Sequence, residues 1–346
     1  MLFAKKLRTW YLENKRDLPW RTTSNPYYIW LSEIILQQTR VAQGMPYYFK
    51  FINTFPEVQD LANASEEEVL KLWQGLGYYS RARNLQAAAK HIVNELDGNF
   101  PESYNGLLKL KGVGDYTASA VASFCYAEAV AVVDGNVYRV LSRIFGIDTP
   151  INSTEGKRQF KELAQELLDK KDPATFNQGL MEFGAIQCTP QKPLCDTCPF
   201  SAECVAYNQD RISGLPVKLK KQKVRKRHFN YIVFLSEEGE TVLRQRKGRG
   251  IWEGLYEFPL VETLSEVSVE NLVKEDGFEE YSMSPEADVR LFNEEPIVHK
   301  LSHQHIYTKF WVVTGSDLPE NKVSVAEMEK LPVPVLIEKF IDSFGF

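Results

Sequence analysis

No run of 18 consecutive apolar residues occurs in this 346-residue chain, so its composition offers no membrane-spanning helix. The opening stretch, MLFAKKLRTWYLENKRDLPW, carries charges where an export signal needs an apolar core, and a cytoplasmic protein is expected. Internal repeats and low-complexity tracts are missing as well, which leaves ordinary globular domains. With 44% hydrophobic and 25% charged residues over this length, two of them are expected. Cysteine is sparse, at five residues. Nothing in that number suggests a disulfide-stapled fold.

Net positive charge is also lacking: the chain carries −5. That deficit is regional, because Val261 to Glu295 holds eleven Asp and Glu against Lys274 and Arg290, and the remainder sums to about +4. Near the middle, KLKKQKVRKRH (Lys218 to His228) has seven Lys or Arg and no acid, and it follows a break at SGLP. Such a run reads as a solvated tether that, beside a DNA-binding domain, also meets phosphates.

Apolar residues recur at helical spacing in WLSEIILQQTRVA, EEEVLKLWQGL, ARNLQAAAKHIV and FKELAQELL, with Gly, Pro and Asn breaks between them. The N-terminal two-thirds are therefore expected to be all-helical. After the basic run the period changes to two: HFNYIVFLSEEGETVLRQR reads as a hairpin and HIYTKFWVVTG as a further strand. The fold class is multidomain, α followed by α+β, with a helical domain over 1–213, a linker over 214–228 and an α+β domain over 229–346.

Four of the cysteines, Cys188, Cys195, Cys198 and Cys204, fall in CTPQKPLCDTCPFSAEC. Four thiols this close in a reducing compartment bind metal, and their spacing alone allows zinc or an iron-sulfur cluster. Cys125, in SAVASFCYA, reads as a buried core residue. The stretch LKGVGDYTASAV places Gly112 and Gly114 before a helix, where a tight turn and unpaired N–H groups form an anion site. About twenty residues on, Asp134 ends an apolar run and precedes Gly135 and Asn136, as a helix cap or a catalytic carboxylate does.

These features together, with LPWR, SEIILQQTRV, WQGLGYYSRARNL, VDGNVYRVLSR and LMEFGA, resemble the helix-hairpin-helix DNA glycosylases that carry an iron-sulfur cluster, and among them the MutY family. The resemblance runs from about Leu18 to Cys204. It implies a helix-hairpin-helix glycosylase domain with one 4Fe-4S cluster on the four cysteines, and it implies that Gly112, Val113 and Gly114 meet DNA phosphate. RGIWEGLYEFPLVE and KLSHQHIYTKFWVV extend it to a Nudix-like C-terminal domain.

The implied activity is hydrolysis of the N-glycosidic bond of adenine mispaired with 8-oxoguanine or guanine in double-stranded DNA, by a monomer that has no membrane partner. Glu33 would be the general acid, its proton retained by desolvation among apolar neighbours. Asp134 would stay ionised to stabilise the sugar cation or bond to it, with Tyr116 and Asn136 positioning both. Trp20, Arg21, Leu36 and Glu182 would line the adenine pocket. Gln38, Thr39, Leu76 and Tyr78 would fill the gap left by the flipped base and meet its partner. Ser302 and His303 would read 8-oxoguanine.

Tyr116 stands where bifunctional relatives have a lysine nucleophile. A phenol cannot form an imine, which opposes the alternative of an endonuclease III-like pyrimidine glycosylase and lyase. The glutamate-rich metal box of a Nudix hydrolase does not occur between Arg249 and Glu295, so the second domain should read rather than hydrolyse. A non-catalytic DNA-binding iron-sulfur protein would leave Glu33 idle. Two departures from the family pattern are Leu301, where an aromatic residue is frequent, and Lys111, where proline usually precedes Gly-Val-Gly.

Overall fold

The computed structural model describes residues 2–37, 39–219, 224–275, 278, 287–315 and 322–346. Gln38, expected in the DNA gap, lies outside the described residues. Contacts divide the chain into two compact units, 1–63 with 84–220 and 64–83 with 221–346. A linear division into 1–213, 214–228 and 229–346 does not contain that grouping of residues 64–83. Its physical basis is a set of bonds from the Glu66–Trp73 helix, the loop after it and the start of the Ser80–Glu95 helix: Lys71 Nζ donates to the Leu331 carbonyl at 3.0 Å, Gln74 to Glu338 at 2.7 Å, and Arg83 to Glu253 at 2.9 Å.

The first unit is helical. Its central element, Pro26–Ile35, is started by Pro26 and by the Asn25 side chain accepting from Tyr27 N, and it buries nearly every residue, as a helix apolar on all sides must. The helix pattern expected through residue 42 breaks after Ile35 and resumes at Val41–Thr54. The Asp115–Tyr126 helix packs on the central one, and Gly135–Phe145 begins at its cap, Asp134. One continuous core joins Leu7, Trp10, Val140, Phe160, Phe183 and Phe200, with Cys188, Cys198 and Cys204 against its edge.

The second unit is built on a five-stranded sheet in which Arg225–Phe234 runs parallel to Gln304–Thr314, with Tyr231 opposite Phe310. Leu260–Thr263 pairs with the other edge of Arg225–Phe234, and Asp288–Leu291 and Ile297–Lys300 both pair with Gln304–Thr314. The hairpin expected from residues 228–246 does not form among the described residues. Both edges of its first strand are taken, and Thr241–Val242 pairs instead with Lys322–Val323. Ile232, Phe234, Val261, Trp311 and Val313 form the core on one face of the sheet. No described helix is long and apolar enough to cross a membrane.

Candidate active site

The Pro26–Ile35 helix presents Glu33 into a cavity of about 540 Å3, whose wall also holds Trp20, Arg21, Leu36, Thr39, Tyr116, Asp134, Asn136 and Glu182. Its size suits a small-molecule fragment rather than a duplex. Glu33 is 6% exposed, and burial pushes its carboxyl up to about 7, partly countered by the hydrogen bond it accepts from the Tyr116 hydroxyl and assisted by the charge of Asp134. A carboxyl near neutrality can hold and deliver a proton at ordinary pH. Burial likewise raises the Tyr116 phenol, so it remains a donor.

Asp134 has a different environment. Its Oδ1 caps the Gly135–Phe145 helix, accepting from Asn136 N at 2.9 Å and Val137 N at 2.8 Å, while Oδ2 accepts from Asn136 Nδ2 at 2.7 Å. Burial pushes its carboxyl above the usual aspartate range, and these three donors pull it down. The cap and the cavity-lining carboxylate are thus one residue. Asn136 is held in turn by Arg139, whose Nη2 donates to Asn136 Oδ1 at 2.9 Å and to the Gly184 carbonyl at 2.6 Å, and whose Nε donates to the Cys188 carbonyl at 2.7 Å.

Glu182, 1% exposed, meets two arginines: Arg16 Nε and Nη2 each at 2.7 Å, and Arg21 Nη2 at 2.7 Å. Together they outweigh the desolvation of burial and hold its carboxyl down to about 2. A fully paired carboxylate is a wall and a positioning group rather than a proton donor. Arg16 and Arg139 were not singled out from sequence. Their signals were the charged KRDLPWR segment and, in the apolar VYRVLSR helix, two arginines four residues apart that are both buried, Arg139 at 8% and Arg143 at 3%.

In the turn before Tyr116, Gly112 has φ +77°, and a Cβ there would stand 2.6 Å from Asn84 Cβ. Gly114, in contrast, is extended at φ −98° with nothing within 4 Å of an added Cβ, and Val113 is buried between them. Leu76 and Tyr78 are not at this cavity. They line another of about 520 Å3 in the second unit with Trp252, Leu301, Ser302 and His303, where Tyr78 is 48% exposed at φ 49° and its hydroxyl is 3.5 Å from Ser302 Oγ.

Cys188, Cys195, Cys198 and Cys204 line one small cavity with Arg143, Phe183 and Leu194. Arg143 Nη1 reaches Cys188 Sγ at 3.5 Å and Phe200 N reaches Cys198 Sγ at 3.4 Å. Among the described residues, no three His, Cys, Asp or Glu are grouped closely enough to hold a metal ion. Four thiols, with N–H groups aimed at sulfur and apolar walls, are a donor set that suits zinc or an iron-sulfur group.

Two family models match the chain, an HhH-GPD superfamily base excision DNA repair protein over residues 31–169 and a NUDIX domain over 230–343. An adenine DNA glycosylase of Mus musculus is 46% identical over 226 residues, covering 62% of this chain and 44% of the mouse protein. That of Buchnera aphidicola subsp. Baizongia pistaciae is 31% identical over 327 residues, 94% of this chain and 88% of that one. The chain spans less than half the length of the mammalian and plant relatives it matches. Among solved structures, a thermostable thymine-DNA glycosylase superposes with TM-score 0.56 at 33% identity, covering 60% of this chain and 96% of that one. An endonuclease III–DNA complex, at TM-score 0.53 and 20% identity over 60% of this chain and 95% of that one, shares the fold.

Proposed function

The chain belongs to the adenine DNA glycosylase family, and on that premise we propose that it hydrolyses the N-glycosidic bond of adenine in DNA where the adenine faces 8-oxoguanine or guanine, leaving the strand intact. The observation that carries the reading is Glu33: a carboxyl at the wall of a base-sized cavity, held up to about 7 by burial, beside Asp134. Neutral Glu33 gives its proton to the adenine ring, the bond electrons leave with the base, and Asp134, with three N–H donors against one for Glu33, carries the negative charge beside the sugar cation. Water then adds to the sugar carbon and loses a proton to Glu33, which is left ionised by the first step. Trp20, Leu36 and Thr39 enclose the base, while Arg16 and Arg21 fix Glu182 in the wall.

Tyr116 supplies a hydrogen bond and no amine, so no imine forms and the backbone stays uncut. The open face at Gly114 and the first N–H groups of the Asp115–Tyr126 helix suit a phosphate. The cavity of Tyr78, Ser302 and His303 suits the opposite base, and the protein acts as a monomer. Cys188, Cys195, Cys198 and Cys204 would hold a 4Fe-4S cluster, which supplies a rigid crosslink for the loop after Gln187 when bound; iron and sulfide content that survives in Cys198→Ser at the wild-type level would contradict this. Single-turnover excision on adenine opposite 8-oxoguanine, guanine and thymine, with strand breaks scored before and after alkali, tests the activity. Breaks only after alkali and fastest opposite 8-oxoguanine are expected; breaks without alkali, or no excision, overturn the reading.

A further inference from the structure

The segment RQRKGR, Arg244 to Arg249, gathers four cations in six residues of a chain whose net charge is −5. It leaves a short ladder in which Arg244 faces Glu257 and Gln245 faces Tyr256, then turns through Gly248 at φ +85° and Gly250 at φ +157°. The turn walls a cleft of about 370 Å3 that includes Glu257, Phe258 and Pro259. Among the residues lining it, Glu257 is the one carboxylate, and it is already satisfied. Arg246 Nη1 lies 2.5 Å from its Oε1, and the Tyr231 hydroxyl donates to its Oε2 at 2.8 Å. Lys247 and Arg249 are exposed at the cleft and add two positive charges to it.

A run of cations is ordinarily a solvated face. Two features separate this one: it is concave around a neutralised floor, and it continues directly into Gly250, Ile251 and Trp252, which wall the cavity of Tyr78, Ser302 and His303. Cations that adjoin a base-sized cavity along the chain suit a nucleic-acid strand, whose phosphates lie beside its bases. We propose that the Arg244–Arg249 turn is a phosphate-binding cleft that grips the backbone of the DNA strand whose base enters that cavity. The assignment rests on the glycosylase reading, and it adds an electrostatic anchor that belongs to the second unit.

The test is DNA affinity of the full chain as a function of salt, on a duplex with adenine opposite 8-oxoguanine, for wild type and the double variant Lys247→Gln, Arg249→Gln. Loss of two phosphate contacts lowers the slope of log K against log salt by about 1.8. The charge-retaining double variant Lys247→Arg, Arg249→Lys keeps the wild-type slope. An unchanged slope in the glutamine variant overturns the proposal. So does a titration with free dGTP in which that variant loses nucleotide binding while its DNA slope stays the same, because the cleft would then serve free nucleotides. A wild type that binds the duplex without excising adenine would sink the glycosylase reading alone, and the slope would still decide the cleft.

Discussion

Glu33→Gln should make the protein more stable and inactive at once. Burial holds the Glu33 carboxyl up to about 7 against an ordinary 4.5. At 1.36 kcal/mol per pH unit, ionising it in the fold therefore costs about 3 kcal/mol more than ionising it in the unfolded chain. The sign follows from proton counting: between 4.5 and 7 the native state holds the proton and the unfolded state has lost it, so stability falls as pH rises through that window. Above 7 the full cost is present. Glutamine has the same shape, carries no charge and still accepts from the Tyr116 hydroxyl. Urea unfolding of the DNA-free proteins should show the variant about 3 kcal/mol more stable than wild type at pH 8 and within a few tenths of it near pH 4.5. Excision should fall by about 10²- to 10⁴-fold, the range for loss of a general acid. A stability difference that is equal at the two pH values would refute the argument that burial sustains the proton, whatever became of the activity.

Tyr116→Phe removes the hydrogen bond that lowers the Glu33 carboxyl, so the alkaline limb of the pH–rate profile should move upward; a limb that stays in place would detach Tyr116 from the acid. Glu182→Gln leaves Arg16 and Arg21 against a neutral wall and should cost about 3 kcal/mol by denaturant unfolding. Because the Glu182 carboxyl is held down to about 2, its contribution is complete above the ordinary 4.5 and lost as pH falls toward 2, an acid-limb loss that the variant should lack. Gly112→Ala puts a Cβ at φ +77° and 2.6 Å from Asn84 Cβ, which should lower stability by about 1–3 kcal/mol, read as a shift in the urea midpoint.

The two carboxylates of the cavity, Glu33 and Asp134, have different surroundings. Both are desolvated, so burial alone would treat them alike. Their difference is in the donors. Glu33 sits in the last turn of its helix, where the backbone N–H groups are already committed to the helix ladder, and it receives one phenol. Asp134 stands at a helix start, where N–H groups are left over by the geometry of helices, and it takes two of them as well as an amide. Burial raises both carboxyls, and position at a helix start gives Asp134 the additional donors that pull it part of the way back.

That logic also marks what the sequence could reveal. Glu33 within SEIILQQTR and Asp134 before Gly-Asn are local patterns and so were legible; the donors of Asp134 lie within one turn of it, whereas the Tyr116 hydroxyl reaches Glu33 from 83 residues away. The helical spacing of the first unit, in WLSEII for example, was legible for the same reason. Partners brought together by the fold were not: nothing in KRDLPWR announces that Arg16 will clamp Glu182, 166 residues away, and nothing in VYRVLSR says that Arg139 will join Asn136 to the Cys188 carbonyl. The missing hairpin has the same origin. A strand's period predicts its faces but not its neighbours, and Arg225–Phe234 is paired on one edge with Leu260–Thr263 and on the other with Gln304–Thr314. Residues 64–83 read as an ordinary helical segment, yet the bonds of Lys71, Gln74 and Arg83 tie them to the second unit, which places Tyr78 beside Ser302. The cavity of Tyr78, Ser302 and His303 is therefore assembled within one unit, from segments separated by more than two hundred residues.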